Sequence, residues 1–288
     1  MNGLKIIVLA KQVPDTRNVG KDAMKEDGTV NRQVLPAIFN PEDLNALELA
    51  LRIKDDYPGS TVTLLTMGPV RAADIVREGL FRGADNGYLL SDRAFAGSDT
   101  LATSYALSCA IRSIGEFDMI VAGRQAIDGD TAQVGPQVAE KLGLPQITYA
   151  EEILKIENGK ITVKRRLERG VETVEGPLPL VITVNGSAPD CRPRNVKLLM
   201  KYKHAKAASE TSDDDKTLFN ERPFLNINEM GVKHIEVKTE ELGLNGSPTK
   251  VKKIENVVFQ AKDTKNLTAA DADINSLMVE LIENHTLG

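Results

Sequence analysis

The stretch from Val121 to Pro136 carries the residue types that could hold a phosphate group. It follows the apolar run 117–122, which is typical of a buried strand, and it precedes an amphipathic helical pattern. At such a strand–loop–helix junction, backbone N–H groups and the positive end of the helix dipole face a bound anion. Gly123 and Gly129 leave room for close approach of the backbone, and Arg124 supplies a cation.

The same loop is neither a Walker A motif nor a GxGxxG fingerprint, because it has no Gly-Lys-Ser/Thr and a different glycine spacing. Its carboxylates, Asp128 and Asp130, would repel a phosphate that they faced. We therefore expect them to hold the loop, to cap the helix or to accept a hydrogen bond from a ribose hydroxyl, with Asp130 or Thr131 as the helix cap. On these residues alone, a nucleotide site and an ordinary turn both remain open.

The sequence shows no self-contained catalytic centre. GxSxG, HExxH and Cys/His arrangements are missing, and we expect His204, His234 and His285 on the surface. Cys109 and Cys191 belong to no CxxC motif, so we predict reduced thiols in a cytoplasm rather than zinc or a disulfide. No catalytic residue and no metal ligand is predicted, and any redox chemistry would come from a bound cofactor.

Composition limits the class of protein. A chain of 288 residues, 41% of them hydrophobic, can form one large α/β domain with an appendage or two small domains. The net charge of −5 argues against nucleic acid as a general partner. No run of about 18 apolar residues occurs, so no membrane-spanning segment is predicted. The first ten residues indicate a strand rather than a signal peptide.

The first 150 residues alternate between strand-like and helix-like patterns, which implies a parallel sheet flanked by helices. Apolar runs predict strands at residues 4–10, 61–66, 88–90 and 118–122. Asn40 and Ser98 are expected to cap two of the helices, the first with Pro41 at its start and Glu42 and Asp43 complementing its dipole. The helix after Ser98 is expected to point Leu101, Tyr105, Ala106 and Cys109 inward.

Parallel sheets bind ligands outside the carboxyl ends of their strands. The loops predicted on that edge are 10–16, 66–70, 91–100 and 123–131, and the helix start at Asn40 would be a fifth contributor. Their convergence is the main physical argument for a single nucleotide pocket. Lys11 in the first loop could contact a phosphate or a partner, or it could be a solvated lysine.

The pattern changes after residue 150. Strand-like runs flank Asn158-Gly159, which predicts a hairpin, and Leu180–Val184 predicts another buried strand. The basic segment 192–203 fits a protein-docking surface better than a nucleic-acid site, with a solvated helix face as the alternative. Residues 206–218 indicate a linker, and the remainder indicates an arm with a closing helix around Leu277–Ile282.

Several motifs in this order resemble those of the β subunits of electron-transfer flavoproteins. They are GRQAIDGDTAQVG at 123–135, KQVPDT at 11–16, Asn40-Pro41, MGP at 67–69, GAD at 83–85 and the segment 192–203. The similarity covers essentially the whole chain. It implies a heterodimer in which β is a Rossmann-like domain with a small β-hairpin region and an extended C-terminal arm wrapped around α.

On this resemblance, residues 1–205 would form the nucleotide-binding domain and residues 206–288 the linker and the arm on the α subunit. The residues expected to hold the cofactor are Leu9, Ala10, Lys11, Asn40, Asp43, Met67, Gly68, Gly97, Thr100, Gly123, Arg124, Gln125, Ala126, Asp128, Gly129, Asp130, Thr131, Gln133 and Val134. Segment 191–203 would recognise a partner dehydrogenase through Arg194, Val196, Lys197, Met200 and Lys201. Val196 would be the hydrophobic anchor, smaller than the usual leucine.

Two loops, 91–104 and 128–135, resemble the electron-bifurcating branch of the family, and the run 245–249 either resembles it too or is a plain turn. An AMP site needs only sugar and phosphate contacts, whereas FAD needs a further wall, which loop 91–104 could provide.

We therefore expect FAD on the strand-end edge, with hydride supplied by NADH. One electron would go to ferredoxin or flavodoxin, and the other through the α-subunit FAD to an acyl-CoA or hydroxy-acid dehydrogenase. The alternatives are a simple electron carrier whose β subunit holds AMP, and a nucleotide-sensing module without a redox role. The weakly apolar arm argues against the sensing module, because such an arm needs a surface to cover.

Overall fold

A computed structural model describes residues 3–15, 35–250, 264–284 and 286–287, so His285 and Thr16 lie outside the described residues. Its strands are β1 (Lys5–Leu9), β2 (Gln12–Pro14), β3 (Ala37–Phe39), β4 (Thr61–Met67), β5 (Asn86–Leu90), β6 (Met119–Gly123), β7 (Gln146–Glu157), β8 (Lys160–Leu167), β9 (Gly170–Pro177), β10 (Leu180–Val184), β11 (Lys206–Ala207) and β12 (Asn226–Met230). Its α-helices are α1 (Pro41–Asp56), α2 (Ala73–Arg82), α3 (Thr100–Ile114), α4 (Val134–Leu142), α5 (Val196–Tyr202), α6 (Lys216–Glu221) and α7 (Asp271–Glu283).

A ten-stranded sheet organises the described part of the chain, in the order β11-β12-β5-β4-β1-β6-β10-β7-β8-β9. Neighbouring strands are parallel from β11 to β7, and β7, β8 and β9 pair antiparallel. Helices pack against the sheet on both faces. The predicted α/β fold, a Rossmann-like parallel sheet flanked by helices, is confirmed.

The central strand β1 is apolar from Ile6 to Leu9, after the exposed Lys5 at its start. Successive side chains of a strand point to opposite faces. Ile6 and Val8 pack into the core that includes α1 and α2, and Ile7 and Leu9 pack into the core that includes α3 and α4. A strand covered on both faces needs apolar residues at every position, which is the pattern of a buried parallel strand.

The order of the strands reverses at β1. The chain adds β4 and β5 on one side of β1 and then returns to place β6 on the other side. In open α/β sheets, the carboxyl ends of the strands at such a switch point border the ligand crevice. The loops after β1 and β6 therefore face each other at that edge, as the sequence predicted.

The hairpin predicted around Asn158-Gly159 is confirmed. Asn158 and Gly159 have φ values of 52° and 73°, and the backbone twist of such a left-handed pair matches the twist of the flanking strands. Strand β7 begins earlier than its sequence pattern indicated, because its first half pairs parallel with β10 and only its second half belongs to the hairpin.

The prediction of a linker at 206–218 is wrong. Lys206–Ala207 forms β11, which pairs with β12, and β12 pairs with β5 at the edge of the main sheet. Ala207 and Phe219 are buried. Strands of two and five residues with polar members are too short to show a periodic pattern in the sequence. The same holds for the three-residue strand β3. The larger division at residue 205 stays a prediction.

Helix α3 is capped by Asp99 rather than by Ser98. The Asp99 carboxylate accepts hydrogen bonds from the N–H groups of Leu101 and Ala102, at 2.9 and 3.0 Å. The Ser98 hydroxyl instead donates to the carbonyl of Phe95. Ala106 and Cys109 are buried as predicted, but Leu101, expected to point inward, is 41% exposed because it lies in the first turn beside the open edge.

The closing helix predicted at the C-terminus is present as α7, and it has no buried residue within the described part of the chain. Its apolar residues Ile274, Met278, Val279 and Ile282 are all exposed. Packing of this arm on an α subunit stays a prediction. The described helices include none with the length and apolar character needed to cross a membrane.

Candidate functional site

A cavity of about 910 Å³ opens at the carboxyl ends of the parallel strands. The predicted cofactor residues that line it are Leu9, Ala10, Lys11, Asp43, Met67, Gly68, Gly97, Thr100, Gly123, Arg124, Gln125, Ala126, Gly129, Asp130, Thr131, Gln133 and Val134. Asn40 and Asp128 are not among its lining residues. The structure thus brings nearly the whole predicted set to one place.

Asn40 and Asp128 do not line the cavity but form hydrogen bonds that hold its lining loops in place. The Asn40 amide donates to the carbonyl of Gln125 at 2.9 Å and accepts from the N–H of Ile127 at 3.2 Å. Asn40 stands at the N-cap position of α1, but among the described contacts its side chain makes no cap hydrogen bond. The Asp128 carboxylate pairs with the ammonium of Lys11 at 2.7 and 2.8 Å. Both side chains fix loop 123–131 to neighbouring elements.

Arg124 is engaged by a carboxylate that sequence reasoning did not place in the site. Its guanidinium pairs with Glu42, with 2.9 Å between Nη2 and Oε1, and lies 5.8 Å from the ring centre of Tyr149. The hydrogen bond to Glu42 raises the pKa of Arg124. The sequence did show Glu42 in the first turn of α1, but it predicted only that this carboxylate complements the helix dipole.

Asp43 is the buried carboxylate at the centre of the site. Its two oxygens accept hydrogen bonds from the backbone N–H groups of Lys11, at 2.8 Å, and Gly123, at 3.1 Å. It thereby joins the ends of β1 and β6 to the start of α1. Burial raises the pKa of Asp43 to about 7, against the opposing effect of these N–H donors.

Glycine is required at position 123 for a different reason from the one predicted from the sequence. A Cβ there would lie 2.4 Å from Asp43 Oδ1 and 2.7 Å from the carbonyl carbon of Glu42. The glycine therefore allows α1 to approach β6, rather than clearing space for a phosphate. Gly129 fits the original expectation better, because no described atom lies within 4 Å of its hypothetical Cβ.

Helix α4 begins at Val134, later than predicted, and among the described residues no side chain caps it. Asp130 and Thr131 are therefore not its cap. Asp130 and Ala132 have positive φ values, so the chain makes a tight turn before the helix starts. Val134 and Gly135 line the cavity, and the uncapped first turn places backbone donors there. Gly135 packs against Thr183 of β10, where a Cβ would lie 2.5 Å from its methyl group.

Loop 91–100 forms a second wall opposite the 123–131 loop. Thr100 joins the end of this wall to the start of α4, because its hydroxyl donates to Gln133 Oε1 at 2.8 Å. Phe95 of this wall and Leu107 of α3 give the cavity an apolar lining. Glu229 of β12 also lines the cavity and was missed, because its strand gave no detectable sequence signal.

The predicted recognition segment lies elsewhere on the molecule. Val196 and Met200 of α5 are 75% and 57% exposed, and Lys197 and Lys201 are exposed beside them. Arg194 pairs with Glu78 at 2.7 Å, so part of the basic charge is neutralised. Exposed apolar side chains within a basic rim suit a docking surface. His204 and His234 are exposed, as predicted.

Comparisons with known proteins agree with this fold. An electron transfer flavoprotein domain model matches residues 27–214. The chain is 41% identical over 297 aligned residues to the electron transfer flavoprotein subunit beta of Megasphaera elsdenii, with 97% of this chain and 100% of the relative covered.

Two further relatives carry more specific names. Identity is 44% to the caffeyl-CoA reductase–Etf complex subunit CarD of Acetobacterium woodii, with 86% of each chain covered. It is 52% to the acryloyl-CoA reductase electron transfer subunit gamma of Anaerotignum propionicum, with 62% of this chain and 67% of the relative covered. Because the domain match spans most of the chain and the Megasphaera subunit matches along its full length, this chain belongs to the electron transfer flavoprotein family, as a β subunit.

Proposed function

We propose that this β subunit holds FAD in the strand-end cavity and works with an α subunit as an NADH-dependent, electron-bifurcating flavoprotein. The observation that carries the proposal is the second wall, loop 91–100, which extends the cavity beyond loop 123–131. The volume of about 910 Å³ lies near the upper end of roughly 300–1,000 Å³ for small-molecule sites. A mononucleotide would leave much of this space unused.

The chemistry of the lining fits a dinucleotide. Lys11 and Arg124 are each paired with a carboxylate, so a diphosphate would rely chiefly on backbone donors such as the uncapped first turn of α4. Leu65, Phe95 and Leu107 supply an apolar surface for a planar ring system. Asn40 and Asp43 do not need to touch the ligand, because they hold the loops that do.

The chemistry that FAD supplies at such a site is acceptance of a hydride from NADH and release of the two electrons singly, one to ferredoxin or flavodoxin and one to the FAD of the α subunit. The protein contributes position, electrostatics and exclusion of water. Two relatives are named for caffeyl-CoA and acryloyl-CoA reductases, which supports an acyl-CoA dehydrogenase as the final partner over a hydroxy-acid dehydrogenase.

A simple carrier with AMP in the β subunit is the second candidate. The 123–131 loop with its Asn40 and Lys11 supports would suffice for a mononucleotide. The assay that separates the candidates mixes the heterodimer, NADH, a ferredoxin and the dehydrogenase with its acyl-CoA. Bifurcation requires both acceptors for NADH oxidation and equal electron flow to each. A complex that does not oxidise NADH at all, as expected when AMP replaces the hydride-accepting FAD, would favour the simple carrier, and so would oxidation that proceeds with the acyl-CoA branch alone and leaves the ferredoxin oxidised.

Replacement of Arg124 by alanine is expected to lower nucleotide affinity about tenfold. The change removes a cation from the cavity lining and leaves Glu42, only 14% exposed at its side chain, without its ion-pair partner. Nucleotide per heterodimer after gel filtration measures the effect. Arg165→Ala is the matched control, because Arg165 pairs with Glu172 on the distant β8–β9 hairpin. Equal nucleotide content in the two variants would contradict a role for Arg124 in binding.

Replacement of Val196 by aspartate is expected to reduce electron transfer to the partner dehydrogenase at least about tenfold, with nucleotide content unchanged. The substitution puts a charge into the exposed centre of the proposed docking surface, where loss of an apolar anchor costs about 2 kcal/mol or more. Val171→Asp, on exposed β9, is the control. Steady-state transfer rates at several dehydrogenase concentrations measure the effect, and identical rates for both variants would remove segment 191–203 as the docking surface.

A further inference from the structure

The cavity wall 91–100 is fastened from its outer side by the chain's own segment 237–249, here called the clasp. Among the described lining residues of the cavity, none belongs to the clasp. Along the chain, the clasp lies between β12, which belongs to the main sheet, and the C-terminal stretch that carries α7. Its contacts with the wall therefore lie outside the cavity lining.

Asp99 and Ser247 form the polar centre of the clasp contact. Ser247 is 3% exposed, and its hydroxyl accepts the N–H of Asp99 at 2.8 Å and donates to the carbonyl of Gly243 at 2.6 Å. One oxygen of Asp99 accepts the N–H of Thr249 at 3.0 Å, while the other caps α3. Burial alone would raise the pKa of Asp99, but the N–H donors outweigh it and hold this pKa below its usual value. One aspartate thus joins the clasp to a helix start on the cavity.

Two glycines allow the clasp and the wall to approach closely. Gly97, with φ +74°, lines the cavity, and a Cβ there would lie 2.6 Å from Leu244 Cγ. Gly243, with φ +57°, packs where a Cβ would lie 2.4 Å from the carbonyl oxygen of Ala94. The close fit on both sides means that a displacement of the clasp moves the wall as well.

We infer that the clasp holds wall 91–100 in place and thereby slows the release of nucleotide from the cavity. The inference rests on the proposed function, since it needs a nucleotide in the cavity. Residues 91–100 face the cavity on one side and the clasp on the other. By thermodynamic linkage, a clasp that stabilises bound nucleotide is itself stabilised by that nucleotide.

The test uses the purified heterodimer with three changes in the clasp. Ser247→Ala removes the hydroxyl that joins clasp and wall. Leu244→Ala removes the side chain over Gly97 and is 60% exposed, so it keeps the test valid if Ser247→Ala does not fold. Asn245→Ala, exposed in the same segment, is the matched control. The readout is the rate at which adenine nucleotide leaves the complex on dilution, quantified by chromatography.

We expect Ser247→Ala to release nucleotide about five- to tenfold faster than Asn245→Ala, the factor for one lost buried hydrogen bond. Leu244→Ala, whose side chain is 60% exposed, is expected to release it about two- to fivefold faster. We also expect FAD added to a stripped complex to slow hydrogen exchange in residues 241–249, although these residues do not line the cavity. Release rates equal to the control, with no change in exchange, would overturn the clasp while leaving the nucleotide site intact. A heterodimer that neither carries nor binds a nucleotide would overturn the proposed function and the clasp together.

Discussion

Gly123→Ala is expected to abolish nucleotide retention and to destabilise the chain by about 3 kcal/mol or more. A Cβ at this position would lie 2.4 Å from Asp43 Oδ1, 2.7 Å from Glu42 C and 2.8 Å from Asp43 N. Two of these atoms belong to the backbone of α1, so a side-chain rotation cannot relieve the contact. Either the loop after β6 or the start of α1 must move, and both carry lining residues of the cavity.

The measurement pairs urea unfolding with nucleotide content of the purified heterodimer. If distortion of the site takes about 3 kcal/mol from the free energy of nucleotide binding, the affinity falls roughly a hundredfold. Gly129→Ala makes the same chemical change in the same loop, where no described atom lies within 4 Å of the added carbon. We expect that variant to unfold within about 0.5 kcal/mol of the parent but to bind nucleotide more weakly, because the methyl group enters the cavity. A Gly123→Ala protein with parental stability and nucleotide content would contradict this account of the loop.

Asp43 is expected to make stability fall as pH rises from about 4 to about 7. Its pKa is about 7 in the folded chain against an ordinary 3.8, so the folded state holds a proton that the unfolded state releases in this interval. The contribution of Asp43 is therefore fully present below about pH 4 and is lost as pH rises through 7. The difference in pKa corresponds to at most about 4 kcal/mol.

Asp43→Asn removes this titration and isolates it from that of the other carboxylates. We expect the free energy of unfolding of the parent, relative to that of the variant, to fall steadily between pH 4.5 and 7.5, from an advantage at low pH to a disadvantage at the highest pH, as measured by urea unfolding at each pH. At low pH the variant should be about 1–3 kcal/mol less stable, because an amide cannot accept both N–H donors. An advantage that stays constant across this range would show that Asp43 is not protonated in the folded chain.

Much of the fold could be predicted from local pattern. Strand β6, and β1 after its first residue, are apolar because both faces are covered, and the Asn158-Gly159 turn has a conformation that few other residue pairs adopt. The edge strands β11 and β12 could not be predicted, because their place is set by pairing with β5 rather than by their own residues. Likewise, the parallel half of β7 depends on β10, which follows it in the chain.

The lining of the cavity could be predicted because loops after parallel strands must meet at one edge. The partners of the charged residues could not, because ion pairs such as Arg124–Glu42 and Lys11–Asp128 join positions 82 and 117 residues apart. Gly123 shows the same limit. Its residue type indicated that no side chain fits at this position. The atom that a side chain would meet, Asp43 Oδ1, belongs to another element and could not be predicted.

The measurement that tests the central claim most directly is the identity and number of nucleotides released when the purified αβ complex is denatured. We predict two FAD molecules per heterodimer, one of them from the cavity between loops 91–100 and 123–131. One FAD together with one AMP would contradict the bifurcating assignment, and release of a single FAD with no second nucleotide would contradict a nucleotide site in this chain.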